Sequence, residues 1–165
     1  MSLLRYENLS ISFGAGRREK FAVNQLNLEI GIGERLALVG ESGSGKTLTA
    51  LAPLRLEPEG AKVGGKILWS KDGDKQEAVD LLSLPIEAIR EIRGREIAMI
   101  FQEPMTALNP LFTIGNQIIE AVQIDQPLIS KADAIDAAVD LLKKTGIPEP
   151  ERRFNSYPHQ LSGGQ

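Results

Sequence analysis

The sequence predicts an α/β protein that opens with an antiparallel β subdomain and closes with a helical subdomain. Three observations support this prediction. Two stretches that mix β-branched, aromatic and alternating polar residues, 3–13 and 21–30, open the chain. Two short apolar runs, 35–39 and 97–101, are typical of parallel strands buried on both faces. Beyond residue 104, apolar residues recur with the period of a helix.

The two opening stretches are predicted to pair as a β-hairpin. The segment between them, GAGRREK, has the glycine and charge content of an exposed turn. Residues 66–69 predict a further strand. Leu82, Ile86 and Ile89 are spaced i, i+4 and i+7, which indicates one apolar face of a short helix.

The C-terminal part is predicted to contain two amphipathic helices. Their apolar stripes are Ile114, Ile118, Ile119 and Val122 in one, and Ile135, Ala138, Val139 and Leu142 in the other. Ser130, with Asp133 three residues later, is suited to cap the start of the second helix. Gly146 followed by Pro148 is typical of its end.

Composition excludes several functional classes. The chain has 19 Lys and Arg against 22 Asp and Glu residues, and no segment concentrates positive charge, which argues against a nucleic-acid partner. There is no cysteine and one histidine, so a bound metal would need oxygen ligands. No long apolar run follows a basic N-terminus, so we expect a soluble protein of the cytoplasmic side.

The segment GESGSGKT, residues 40–47, fits the pattern G-x-x-x-x-G-K-[ST] and lies between an apolar run and a helical run. Glycines let such a loop turn tightly and direct backbone N–H groups at phosphate oxygens. Lys46 supplies a mobile cation, and Thr47 offers a hydroxyl to Mg²⁺. The alternative is a glycine-rich turn that caps a helix. The predicted phosphate-binding residues are Gly40, Ser42, Gly43, Ser44, Gly45, Lys46 and Thr47.

The closing segment LSGGQ, residues 161–165, offers a serine hydroxyl and two backbone amides without side-chain cover. This is a second device for binding an anion, and the alternative is a flexible surface turn. A chain that carries both motifs resembles the ATPase subunits of the ABC transporter family. In that family the second motif is the signature, which implies nucleotide contacts from Ser162, Gly163, Gly164 and Gln165.

Three segments narrow the resemblance, namely GERLALVGESGSGKTLTAL, IAMIFQEPMTALNP and YPHQLSGGQ. They are similar to the oligopeptide, dipeptide and nickel importer ATPases, over residues 3–165. The resemblance implies a P-loop NTPase core of the ABC ATPase type, truncated before the Walker B strand. It places the β subdomain and core at about 1–103, the helical subdomain at about 104–160 and the signature at 161–165. Pro53 departs from the pattern and should shorten or kink the helix that follows the glycine loop.

The resemblance also assigns roles to single residues. Gln102 matches the Q-loop glutamine, a catalytic position whose amide ligates Mg²⁺ together with Thr47, or orients the attacking water. Phe13 resembles the aromatic residue that stacks on adenine, although Tyr6 competes and a core aromatic is the alternative. Glu103 is not expected to be the catalytic base. His159 precedes the signature and is expected to be a packing or turn residue.

The implied function is ATP hydrolysis, with Mg²⁺, that drives import of peptides or related small solutes. Permease subunits would dock on residues 103–116, where Met105, Leu108, Leu111 and Phe112 are predicted to be exposed. A second nucleotide-binding domain would pair head to tail, and a solute-binding protein would act indirectly. The protein would lie peripherally on the cytoplasmic face of the inner membrane.

Two alternatives remain open at this point. Soluble ABC ATPases of translation or DNA repair share both motifs, although the interval between Gln102 and Ser162 is too short for the long coiled coil usual in repair members. The other alternative is a fragment that binds nucleotide without turnover. The family's Walker B aspartate and catalytic glutamate are expected beyond Gln165, so this chain alone is expected to hydrolyse ATP only at background rate. Its apolar edges around residues 36–39 are then expected to lie open.

Overall fold

The computed structural model describes residues 2–102 and 107–165. The side chains of Arg17 and Lys75 are outside this description. The chain forms two compact units, Met1–Ala98 and Met99–Gln165. The first unit holds all the strands of the described chain, and the second unit is helical.

The first unit is built on one antiparallel sheet with the strand order β2-β1-β3-β4. Its strands are β1 (Ser2–Phe13), β2 (Lys20–Gly31), β3 (Ala61–Trp69) and β4 (Val79–Asp80). The pairing of β1 with β2 confirms the predicted hairpin. The predicted strand at residues 66–69 is also confirmed, as the second half of β3.

The core of this unit lies against β1, where a bulge changes the side-chain pattern. Asn8 has a φ of 50°, and the register shifts between Tyr6 and Leu9. Because of this extra residue, Tyr6, Leu9 and Ile11 are all buried in one cluster, although strict alternation would separate Tyr6 from Leu9. The side chain of Ile67 from β3 completes the centre of this cluster.

Two short helices complete the first unit. Helix α1 (Lys46–Leu51) continues into a 3₁₀ turn (Ala52–Leu54) that contains Pro53, so the predicted shortening of this helix is confirmed. Helix α2 (Ile86–Ile92) is followed by Arg93, whose Nε and Nη2 atoms donate to the Leu54 carbonyl at 2.9 and 2.6 Å. The guanidinium thereby satisfies a carbonyl at the end of this 3₁₀ turn.

The predicted buried strands at residues 35–39 and 97–101 are wrong for this structure. Neither run forms a strand in the described chain, and only an isolated bridge joins Arg93 to Ile97. Val39 is 89% exposed and Ile100 is 95% exposed. An apolar run becomes a parallel strand only where neighbouring strands accept and donate its backbone hydrogen bonds. The described residues supply no such neighbour to either run.

The second unit contains α3 (Ile114–Asp125), α4 (Lys131–Lys144), α5 (Pro150–Phe154) and a 3₁₀ turn (Pro158–Gln160). Both predicted long helices are therefore confirmed. Ser130 Oγ accepts from the Asp133 N–H at 3.1 Å, which confirms the predicted cap. Helix α4 ends before Gly146, whose φ is 75°, as the predicted stop requires. No helix in the described ranges has the length and apolar character that a bilayer crossing requires.

Candidate functional site

The glycine-rich loop lies directly before α1 and rests on β2. Gly43 and Gly45 have φ angles of 81° and 86°, in the left-handed region that favours glycine. Gly45 is buried, and a Cβ atom there would overlap the Ala22 carbonyl oxygen and lie 2.8 Å from Val23 Cγ2. The loop therefore reaches α1 only with glycine at position 45.

The Lys46 side chain folds back into this loop. Its ammonium donates to the carbonyl oxygens of Gly40 at 2.7 Å and Glu41 at 2.6 Å, and lies 3.3 Å from Ser44 Oγ. The Ser44 N–H donates to the Glu41 carbonyl at 3.2 Å, which closes the turn. The Lys46 ammonium is thus held by backbone carbonyl oxygens beside the start of α1. The N–H groups at the start of a helix stabilise an anion, so the charge of Lys46 lies where it could add to that effect.

The first turns of α1 are anchored to the core by Tyr6. Thr49 bonds to the Gly45 carbonyl through its N–H at 2.9 Å and its hydroxyl at 3.1 Å. The Tyr6 hydroxyl in turn donates to the Thr49 carbonyl at 3.3 Å. Burial raises the pKa of Tyr6 to about 12, so this hydroxyl stays protonated. Tyr6 is buried in the core cluster, which makes it a support for the loop's helix that the sequence did not reveal.

The closing LSGGQ segment forms an exposed turn in the second unit. The Ser162 N–H donates to Gln165 Oε1 at 3.1 Å, and the Gln165 N–H donates to the Ser162 carbonyl at 2.9 Å. Gly163 and Gly164 have no positive φ, and a Cβ atom at either position would meet nothing within 4 Å. No backbone angle or close packing in the described chain requires glycine at these two positions.

The family model described as ABC transporter matches residues 23–165, which include both glycine-rich segments. The chain belongs to the ABC transporter family. It is 47% identical to the peptidoglycan transport ATP-binding protein YejF of Agrobacterium fabrum, over 99% of this chain and 29% of that protein. It is 43% identical to the dipeptide transport ATP-binding protein DppD of Haemophilus influenzae, over 99% of this chain and 48% of that protein. The chain thus spans about half the length of DppD and less than a third of the length of YejF.

Solved structures of ABC cassettes share this fold. A dimeric structure of MJ0796, a bacterial ABC transporter cassette, superposes with a TM-score of 0.79 at 25% identity, over 99% of this chain and 65% of that one. A second dimeric structure of MJ0796, in a post-hydrolysis state bound to ADP and Pi, gives a TM-score of 0.77 at 23% identity. The α/β fold of the ABC ATPase type, predicted from the sequence, is confirmed by these similarities.

Two further ABC-type positions have a described location. Gln102 is exposed in a bend of the second unit, whereas Thr47 is exposed in the first turn of α1 in the other unit. Their joint role toward Mg²⁺ stays a prediction. No group of three or more His, Cys, Asp and Glu side chains in the described ranges is placed to hold a metal.

The two remaining candidates are Phe13 and His159. Phe13 ends β1 opposite Lys20 and Ala61 and packs, partly buried, against the core cluster; its contact with adenine stays a prediction. The His159 ring stacks on Tyr157, with ring centroids 5.7 Å apart.

The segment predicted to face a permease is described from residue 107 onward; Glu103 and Met105 lie outside the described residues. Leu111 is 80% exposed, Phe112 is also exposed, and Leu108 is partly buried. The Gln117 side chain holds this loop on α3, because its Nε2 donates to the Phe112 carbonyl at 3.1 Å and its Oε1 accepts from the Asn109 N–H at 2.9 Å. No local signal in the sequence indicates this support, since Gln117 lies within a helix.

Proposed function

We propose that this chain is the nucleotide-binding part of an ATPase that powers the import of peptides or related small solutes through a membrane permease. The observation that carries the proposal is the glycine loop, in which position 45 admits only glycine and the Lys46 ammonium lies against backbone carbonyls. The names of the relatives, which include dipeptide and peptidoglycan transport, support the peptide class of solute.

In this proposal the loop binds the phosphates of ATP. Lys46 exchanges the neutral carbonyls of Gly40 and Glu41 for the charged β- and γ-phosphate oxygens, which are stronger acceptors. The N–H groups of residues 43–47 would donate hydrogen bonds to the remaining phosphate oxygens. Phe13 would stack on adenine. Gly40, Ser42 and Ser44 would belong to the same phosphate-binding loop.

The Thr47 hydroxyl and the Gln102 amide are the oxygen ligands proposed for Mg²⁺, which prefers such donors. When bound, Mg²⁺ would neutralise charge on the phosphate oxygens. Gln102 would also orient the attacking water. We assign ATP turnover to the full-length protein. These 165 residues by themselves are proposed to hydrolyse ATP at no more than the background rate.

The signature is proposed to act on the nucleotide of a second domain that pairs head to tail. Gly163 and Gly164 are exposed and carry no side chain, and a Cβ atom at either position would meet nothing within 4 Å, which leaves room for close approach of a phosphate group. Ser162 and Gln165 would add a hydroxyl and an amide to the same contact. Both MJ0796 structures are dimeric, which supports the pairing of two such domains.

Gly163→Ala is expected to slow ATP hydrolysis by the full-length protein about tenfold while changing its free energy of unfolding by less than about 0.5 kcal/mol. The reason is that the new methyl group meets nothing inside the chain but covers an amide needed by the partner's nucleotide. Gly146→Ala is the matched control, because its φ of 75° makes the change cost about 1 kcal/mol of stability without touching the signature. Normal hydrolysis by the Gly163 variant would contradict the role of the signature.

The permease is proposed to dock on residues 103–116, which would hold the protein peripherally at the cytoplasmic face of the membrane. Leu111 and Phe112 are presented there by the Gln117 hydrogen bonds. Beside Phe112 lies an open groove of about 410 Å³ along α3, which Ile119 and Lys131 also line. An apolar pair next to a groove suits a short helix of the permease. A solute-binding protein would reach the ATPase only through the permease.

Phe112→Asp is expected to reduce ATP-dependent peptide uptake by reconstituted transporter vesicles at least tenfold, with ATP binding unchanged, because it places a charge where an apolar helix would dock. The control is Leu128→Asp, since Leu128 is 100% exposed and lies between α3 and α4, outside this segment. Loss of uptake together with ATP binding would instead mark Phe112 as a residue that the fold needs. Nucleotide binding by the wild type without any ATP-dependent uptake would refute the transport function.

A further inference from the structure

The segment that leads into the signature is seated on the start of α3. The Ile114 N–H donates to the Ser156 carbonyl at 2.8 Å. The Phe154 ring, at the end of α5, lies so close to Gly115 that a Cβ atom there would approach three ring carbons to 2.6 Å. Residues 150–156 therefore form a base whose position is fixed by both hydrogen bonding and close packing.

From this base, Arg153 reaches the residue before the signature. Its Nη1 atom donates to the Gln160 carbonyl at 3.2 Å. That carbonyl belongs to the peptide group whose N–H is carried by Leu161, the first residue of LSGGQ. The neighbouring Arg152 instead pairs with Glu149 at 2.8 Å on the surface. The two adjacent arginines thus have different contacts, and only Arg153 touches the approach to the signature among the described contacts.

The 3₁₀ turn Pro158–Gln160, which precedes the signature, is also held by the Gln160 side chain. Its Oε1 accepts from the Tyr157 N–H at 2.8 Å, while the Gln160 N–H donates to the Tyr157 carbonyl at 2.9 Å. The Leu161 N–H donates to the Pro158 carbonyl at 3.1 Å. Both ends of the 3₁₀ turn are therefore tied to each other, and Arg153 ties the turn to the base.

The Arg153 guanidinium keeps this position although it is not fully satisfied. Its Nε atom is buried and has no hydrogen-bond partner in the described chain. A buried donor without an acceptor is costly, and such groups are uncommon in folded proteins. A planar, permanently charged donor is well suited to hold one carbonyl in a set direction.

We propose that Arg153 is a positioning residue for the signature. By holding the Gln160–Leu161 peptide group on the base formed by residues 150–156, it sets the direction in which the amides of Gly163 and Gly164 face the partner's nucleotide. This inference rests on the proposed function, because it assumes that the signature acts on a bound nucleotide. Arg153 itself need not touch that nucleotide.

The test compares Arg153→Met, Arg153→Lys and the control Arg152→Met in the full-length protein assembled with its permease. Arg153→Met is expected to lower kcat for ATP hydrolysis about tenfold, since the signature amides lose their set direction. The affinity for a fluorescent ATP analogue, which reports the glycine loop, should stay within about twofold of the wild type. Arg153→Lys should recover part of kcat, and Arg152→Met should match the wild type in every measurement.

Wild-type kcat in Arg153→Met would overturn the inference, and so would a fall in kcat that is matched by weaker analogue binding. If Arg153→Met does not fold, Arg153→Lys decides: a kcat reduced about threefold at an unchanged melting temperature supports the inference, and a wild-type kcat overturns it. Lys46→Ala in the same preparation keeps the two proposals apart. If Lys46→Ala binds the analogue normally, the nucleotide site itself is refuted. If Lys46→Ala loses analogue binding while Arg153→Met keeps a wild-type kcat, only the role of Arg153 is refuted.

Discussion

Lys46→Ala is expected to weaken ATP binding by the full-length protein at least about a hundredfold. Its ammonium already lies within the glycine loop, 2.7 and 2.6 Å from the carbonyl oxygens of Gly40 and Glu41. Binding replaces these neutral acceptors with phosphate oxygens, and hydrogen bonds between two charged groups contribute about 1.5–3 kcal/mol each. Two such contacts give the expected factor. Calorimetric titration with ATP in the presence of Mg²⁺ measures the effect.

The control for Lys46 is Lys62→Ala, which removes the same charge from an exposed position. The Lys62 ammonium lies 3.7 Å from Glu19 in a surface pair of the first unit, where such pairs contribute little. We expect wild-type ATP affinity and melting temperature in this variant. Equal ATP affinity in Lys46→Ala and the wild type would show that the glycine loop does not bind phosphate.

Gly45→Ala is expected to abolish ATP binding and to destabilise the full-length protein by about 3 kcal/mol or more. Two effects add at this position. The φ of 86° is strained for alanine, and the new Cβ would overlap the Ala22 carbonyl while lying 2.8 Å from Val23 Cγ2. The loop would have to lift from β2, which moves Lys46 and the start of α1 together. Urea unfolding and ATP titration of the same sample measure both consequences.

Gly43→Ala separates backbone strain from steric overlap within the same loop. Gly43 has a φ of 81°, but a Cβ atom there would meet nothing within 4 Å. We expect a loss of only about 1–2 kcal/mol, the cost of the left-handed conformation for an alanine. If Gly43→Ala and Gly45→Ala destabilise the protein equally, the contact of Gly45 with β2 is not what restricts that position.

The parts of the fold that the sequence predicted well are those whose interactions are local. The cap of Ser130 on the Asp133 N–H and the end of α4 before Gly146 each involve residues a few positions apart. The hairpin of β1 and β2 follows from two strand patterns separated by one turn. The glycine loop was recognisable for the same reason, since its turns and the lysine contacts lie within residues 40–47.

The interactions that support the candidate sites join residues far apart in the chain. Tyr6 reaches the Thr49 carbonyl, and Arg93 reaches the Leu54 carbonyl, across intervals that carry no periodic signal. Gln117 supports the loop of Phe112 from inside a helix whose apolar stripe suggested only packing. Arg153 resembles Arg152 in sequence context, and only the folded second unit shows which of the two holds Gln160.

The hairpin, the two long helices and the two glycine-rich motifs were therefore predictable from residue order, because they depend on short-range geometry and on residue types at set spacings. These motifs also carried the resemblance to the ABC transporter family, to which the chain belongs. The tertiary structure decided which apolar residues are buried. The runs at 35–39 and 97–101 have strand-like composition but form no strand in the described chain, and Val39 and Ile100 are exposed. A bulge at Asn8 brings Tyr6 and Leu9 into one core cluster. Burial depends on which distant segments supply hydrogen bonds and packing surface, and residue order along one segment does not contain that information.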